Sequence, residues 1–97
     1  MTMMVYHAVA PTFGVGAPAP FTNEHYTLVA LVEGEDIEMA FRLTNHIDHS
    51  WTENEGVAAK VARPRSTSVG DVIVKVNDAG PGVARAFRCE MAGWKML

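Results

Sequence analysis

Only one stretch of this chain repeats its apolar residues at helical spacing; the other structured stretches are short, rich in β-formers and bounded by turn residues. After Gly34, the residues Ile37, Ala40, Phe41, Thr44 and Ile47 recur three or four positions apart with Leu43 beside them, which places them on one face of a helix. Glu35, Asp36 and Glu38 crowd its start, where carboxylates complement the positive end of the helix dipole. Glu38 and Arg42 are four apart and are expected to pair on the solvent side, and Asn45 reads as the C-terminal stop. A lone amphipathic helix has one stripe to bury, so the rest of the chain must supply a sheet that receives it.

The sheet is read from short segments bounded by turn residues. Met3 to Val9 is a first strand stopped by Pro11. Tyr26 to Val32 is nearly continuous in apolar residues and reads as the middle strand, buried on both faces. Val57 to Ala62 is a short strand ended by Arg63-Pro64-Arg65. Val72 to Val76 and Val83 to Met91 flank a Gly-, Asn-, Asp- and Pro-rich turn over 77–82 and form a hairpin. In it Phe87, Cys89 and Met91 share one face, and Arg88 and Glu90 the other. Gly93 permits a bend before a last edge strand over Trp94 to Leu97. The expected architecture is α+β: a single domain over 1–97, a mostly antiparallel four- or five-stranded sheet, and one main helix packed on one face. The first and last strands are expected at its edges. Pro11 to Pro20 holds three prolines and two glycines, so residues 11–21 are expected to form a flexible loop.

Composition narrows the function classes. With 97 residues, 48% hydrophobic and 20% charged, the chain has material for one core and too little charge for disorder. Cys89 is its single cysteine, so an internal disulfide and a Cys-rich zinc site are excluded and a reducing cytoplasm is expected. No run approaches the roughly 18 apolar residues of a membrane helix, and Met1 to Val9 lacks the basic start and long apolar stretch of a signal peptide. The expectation is a protein neither exported nor embedded in a membrane.

The formal net charge of −3 argues against general affinity for nucleic acid, which needs a basic face. The charge is unevenly distributed. Asn23 to Glu55 carries eight acids against Arg42 alone, and Gly56 to Leu97 carries seven bases against Asp71, Asp78 and Glu90. Either the two halves fold onto each other and compensate, or the surface is bipolar and suits a charged partner or a second copy of the chain.

Several residue groups suggest chemistry. His46, Asp48 and His49 form a donor set suited to zinc or iron, the basis for a metal-dependent hydrolase or nuclease as the alternative function. A helix C-terminus also attracts histidine on electrostatic grounds alone, so no metal or other cofactor is assigned. Cys89, on the apolar face of its strand, reads as a buried, inert thiol. Gly14-Val15-Gly16 satisfies neither phosphate-loop nor dinucleotide patterns, and the acids from Glu33 to Glu38 are explained by a helix start. Arg63-Pro64-Arg65-Ser66-Thr67-Ser68 is a basic, hydroxyl-rich segment that suits either a phosphate or acidic partner, or an ordinary loop with hydroxyl caps. Lys60, Arg63 and Arg65 would carry a nucleic-acid regulator. Trp51 and Trp94 are core anchors if buried and hot spots if exposed.

Arg65-Ser66-Thr67-Ser68-Val69-Gly70-Asp71-Val72-Ile73-Val74, followed by Phe87-Arg88-Cys89 and Gly93-Trp94-Lys95, resembles the YodL-like family. That signature runs Ser-x-Ser-Val-(Gly or Ser)-Asp-(Val or Ile) into a strand, then a second strand and a Gly-aromatic close. The resemblance covers roughly the last third of the chain. Ala40-Phe41-Arg42-Leu43-Thr44-Asn45 with Asp48 and Trp51 is similar to the segment preceding the signature in small proteins of actinobacterial phages and mobile elements. Trp94 stands where phenylalanine is usual, and Pro11 to Pro20 has no counterpart. Within the signature, Ser66 and Ser68 are suited to bonding local backbone, Gly70 to an unusual dihedral and Asp71 to accepting from the loop. The resemblance implies a small, non-catalytic protein of a phage or mobile element. The function expected is binding or inhibition of a host protein in the host cytoplasm, growth or division machinery included. The partner face expected for it comprises Trp51, Arg63, Arg65, Ser66 and Trp94, with Ser68, Gly70 and Asp71 as the structural motif. Self-association into a homodimer is the other partner expectation, resting on free sheet edges.

Overall fold

Along the first strand, β1 (Thr2–Ala8), burial alternates residue by residue. Met3, Val5 and His7 face one side of the sheet, and Met4, Tyr6 and Ala8 face the other. The computed structural model describes residues 2–11, 20–34, 36–45, 50–62, 64–76 and 84–97. The expected loop over 11–21, the turn over 77–82 and the Gly14-Val15-Gly16 segment fall largely or wholly outside them.

After β1 the chain forms β2 (Tyr26–Glu33), the helix α1 (Ile37–Leu43), a 3-10 turn (Trp51–Glu53), β3 (Val57–Ala59), β4 (Val72–Val76), β5 (Ala84–Glu90) and β6 (Gly93–Met96). The strands form one sheet in the order β3-β2-β1-β4-β5-β6, and every adjacent pair is antiparallel. The α+β class is as expected, but among the described residues the sheet has six strands rather than four or five, because both short edge segments pair with their neighbours. Two placements are also corrected. β1 lies inside the sheet between β2 and β4, while β2, expected in the middle, is covered on its far side only by the three residues of β3. The edges are β3 and β6.

The helix is shorter than its apolar repeat. Asp36 caps its start by accepting from the Glu38 backbone N–H at 3.0 Å. At its end the Thr44 hydroxyl donates to the Ala40 carbonyl at 2.8 Å and the Asn45 amide donates to the Phe41 carbonyl. These side chains take over the last carbonyls and stop the helix at Leu43. Glu38 does not simply face solvent beside Arg42; its carboxylate accepts from the Trp94 indole at 2.6 Å. Met91, expected on the apolar face of β5, sits in the β5–β6 turn and is 81% exposed.

One face of the sheet packs Met3, Val5, Val29, Ala30, Val32 and Ile73 against Ala40 of the helix and Trp51 of the 3-10 turn. The other carries a smaller cluster of Tyr26, Val72 and Val74, over which Phe21 packs edge-on to Tyr6 and Tyr26 at centroid distances of 5.1 and 5.2 Å. Between β3 and β4, the described residues 60–62 and 64–71 take the chain over the helix-side face from the β3 edge past β2 and β1 to β4. Three strand spacings are about 14 Å, a span that twelve residues cover with slack, and the crossover is therefore held by specific contacts. It ends at Gly70, whose φ of +97° lies in the left-handed region. There its N–H donates to the Cys89 carbonyl and its own carbonyl accepts from the Tyr26 hydroxyl. A Cβ on Gly70 would meet nothing within 4 Å. Gly70→Ala is expected to cost about 1–2 kcal/mol from backbone strain alone, measured as a fall in denaturant midpoint with an unchanged slope.

Candidate functional site

The most concentrated polar chemistry lies beneath the crossover. Asp71 has no exposed surface, and its carboxylate accepts four hydrogen bonds. Oδ1 accepts from the Ala8 backbone N–H at 2.9 Å and Arg65 Nη2 at 2.8 Å, and Oδ2 from Arg65 Nη1 at 2.6 Å and the Ser68 backbone N–H at 2.8 Å. The two-pronged guanidinium contact matches the planar fork of arginine to the carboxylate. Arg65 also donates to the Ser66 carbonyl, the Ala8 carbonyl and the Ser68 hydroxyl. The Arg65 carbonyl accepts from the Trp51 indole at 2.8 Å.

A second polar line starts at His7. Its Nε2 lies 2.8 Å from the Thr67 hydroxyl, the Thr67 hydroxyl donates to Thr44 Oγ1 at 2.7 Å, and the Thr44 hydroxyl donates to the Ala40 carbonyl. Each hydroxyl has one proton, and both are spent in that direction. Nε2 of His7 therefore carries hydrogen and donates to Thr67. The relay joins β1, the crossover and the end of α1 in one satisfied network.

Burial pushes the His7 pKa down to about 4; Asp71, 3.9 Å from Nε2, opposes the shift and Arg65 adds to it. The near carboxylate favours imidazolium, but Arg65 already neutralises it, so desolvation prevails and the ring is neutral at pH 7. Burial likewise raises the Cys89 thiol to about 11, with Asp71, Glu38 and Glu90 adding to it. At neutral pH that side chain is a thiol and not a nucleophilic thiolate.

A separate surface feature lies between α1 and the β5–β6 turn. Phe41, Val69, Cys89, Met91 and Trp94 line an open crevice bordered by Glu38 and Glu90. Trp94 packs edge-on to Phe41 at 5.9 Å and is held by its hydrogen bond to Glu38.

The residues singled out from the sequence divide accordingly. Arg65, Ser66, Ser68, Gly70 and Asp71 come together in the crossover. Trp51, expected on a partner face, is fully buried, because its indole N–H anchors the Arg65 carbonyl from beneath. Arg65, expected on the same face, directs its guanidinium inward onto Asp71 and keeps 31% of its side chain exposed. Trp94 is half-buried at the crevice, apart from the crossover motif. Lys60 is exposed; Arg63 and the His46, Asp48, His49 set lie outside the described residues. Among the described residues, no three His, Cys, Asp or Glu side chains are grouped to hold a metal ion, and no helix is long and apolar enough to cross a membrane. Sequence reasoning gave no role to His7, Thr44 and Thr67 as a unit. His7 follows Met3 and Val5 at a spacing of two, which is the signal that it faces inward.

Compared with known proteins, the chain matches no family model, no curated protein and no solved structure.

Two predictions test the buried network. Asp71→Asn removes the charge that Arg65 and two backbone N–H groups converge on, and is expected to cost about 3 kcal/mol at pH 7 in denaturant unfolding. His7 titrates near 6.5 when unfolded and about 4 when folded, so its contribution is complete above the unfolded value. It is lost as pH falls from there through 4, amounting to about 3 kcal/mol. His7→Gln keeps a donor near Nε2 without the titration. Its stability should fall less between pH 7 and pH 4 than that of the wild type, and equal slopes would show that His7 is not the group responsible.

Proposed function

We propose that this chain is a small protein of a phage or mobile element that acts in the bacterial host cytoplasm as a non-catalytic binder of a host protein. Growth or division machinery is the target class. The origin rests on the resemblance of Arg65 to Val74, Phe87 to Cys89 and Gly93 to Lys95 to the YodL-like family.

What supports the binding role is the crevice at Trp94. Trp94 and Phe41 are braced against each other and by Glu38, so a partner closing over them freezes little additional side-chain motion. Met91 adds an exposed, adaptable apolar side chain. Tryptophan on an apolar floor with a charged rim is the residue pattern of interface hot spots, and the Glu38 and Glu90 rim favours a partner side chain with a basic end. In this reading Trp94 remains on the docking face, while Trp51 and Arg65 serve it from the interior by fixing the crossover.

The test is affinity capture from an actinobacterial lysate by wild-type protein and by Met91→Asp, Trp94→Ala and Glu24→Ala variants, after each has been shown to fold. One host protein enriched by the wild type, reduced about tenfold or more by the two crevice variants and kept by Glu24→Ala, is the expected result. Equal capture by all four, or none by the wild type, refutes the proposal.

A further inference from the structure

The two edges of the sheet match each other in strand direction, face and hydrogen-bonding parity. At the β6 edge, the Leu97 N–H donates to the Ala86 carbonyl within the register that pairs Arg88 with Lys95. Antiparallel ladders alternate, so Gly93, Lys95 and Leu97 direct their backbone groups to β5, and Trp94 and Met96 direct theirs outward. At the β3 edge, Lys60 donates to the Val29 carbonyl and Glu33 to the Gly56 carbonyl. By the same alternation Val57 and Ala59 direct theirs outward. The β6 edge thus offers the donors and acceptors of Trp94 and Met96, and the β3 edge offers the Ala59 N–H and the carbonyls of Val57 and Ala59, the Val57 N–H being donated to the Asn54 carbonyl at 3.3 Å.

The side chains follow the same parity. Trp94 packs into the helix-side cluster and Met96 shares its face; Val57 packs into that cluster and Ala59 shares its face. Lys95 points to the other face, as do Ala58 and Glu33. An even number of strands, all antiparallel, makes β3 and β6 run in opposite directions. A second copy displaced along the sheet without being turned over therefore presents its β3 antiparallel to β6, with both helices on one side. One register sets outward residues opposite outward residues, Trp94 facing Ala59 of the second copy and Met96 facing Val57 with Lys95 opposite Ala58 between them, and leaves three inter-copy backbone bonds with the Val57 N–H kept by Asn54.

Charge favours that pairing over its symmetric rival. At the β3 end stand the exposed Glu33, Glu53, Glu55 and Lys60, and at the β6 end stand the exposed Arg85 and Lys95 with Glu38 and Glu90. In the register above, Lys95 lies across the small Ala58 from Leu31, with Glu33 one same-face step further along β2. Lys60 of the second copy lies opposite Gly93, next to Glu90. Pairing β6 with a second β6 through the same outward groups would set Lys95 against Lys95, an unfavourable contact between like charges.

We propose that this protein self-associates head to tail, β6 of one copy adding to β3 of the next. This inference goes beyond the host-binding reading and survives its failure, since it uses the outward backbone groups of β6, Trp94 included, and not the apolar side chains that floor the crevice.

The test is sedimentation of the intact protein from about 10 μM to about 1 mM, with folding of every variant checked by circular dichroism. Wild-type mass should rise with concentration and pass that of a dimer. Met96→Pro and Ala59→Pro each remove one outward N–H without touching the internal ladder, and each should be monomeric. An equimolar mixture retains one good β6 and one good β3, and should form a dimer and stop there. Charge reversal gives an independent check: Lys60→Glu alone and Glu90→Lys alone, which lie in one row across Gly93, should each associate more weakly, and their mixture should recover. A wild type that stays monomeric, a mass that levels off at a dimer, or association blocked by Met96→Pro and untouched by Ala59→Pro would overturn the proposal.

Discussion

The Asp71 carboxylate is the point on which the crossover depends. A buried anion must be neutralised and hydrogen-bonded or it opposes folding by several kcal/mol. Here its four donors come from the end of β1 and from Arg65 and Ser68 of the crossover. Satisfying Asp71 therefore requires the end of β1, the start of β4 and the Arg65 loop to be in place together. The same pair governs His7. Because Arg65 holds the Asp71 charge, the imidazole can remain neutral nearby and serve as the donor that begins the relay through Thr67 and Thr44 to the helix end. Trp51 closes the arrangement from below by holding the Arg65 carbonyl.

What was legible in the sequence was local. The spacing of Ile37, Ala40 and Phe41 placed the helix, a run of β-formers stopped by Pro11 placed β1, alternation placed β5, and Gly93 marked the bend into β6. The helix end and the strand order were not legible, for different reasons. Ile47 extended the apolar repeat beyond Leu43, but Thr44 and Asn45 compete for the last carbonyls through their side chains, and an apolar count does not register that competition. β1 reads like any short strand; its place inside the sheet is set by the crossover over 60–71, whose destination depends on the Asp71 contacts with residues more than fifty positions away. In the same way, Arg65 and Trp51 look like surface recognition residues in isolation. Only the arrival of a buried carboxylate beneath them makes them internal supports.

The strand order also gives physical meaning to the uneven charge along the chain. The acid-rich stretch supplies β2, α1 and the approach to β3; the base-rich stretch supplies β4, β5 and β6; and β1, whose stretch carries no Asp, Glu, Lys or Arg, lies between β2 and β4. Had the halves packed face to face, their charges would have faced each other and largely cancelled. Side by side in one sheet they are instead separated along its width, with Glu33, Glu53 and Glu55 toward one edge and Lys75, Arg85, Arg88 and Lys95 toward the other. Pairs this far apart lie beyond the roughly 8–10 Å over which salt leaves exposed charges in contact, so the two ends contribute little to one another's stability. What approaches the β3 end meets Glu33, Glu53 and Glu55 beside Lys60, what approaches the β6 end meets Arg85 and Lys95 beside Glu38 and Glu90, and the sheet edge that lies at each is short, exposed and without a described strand beside it.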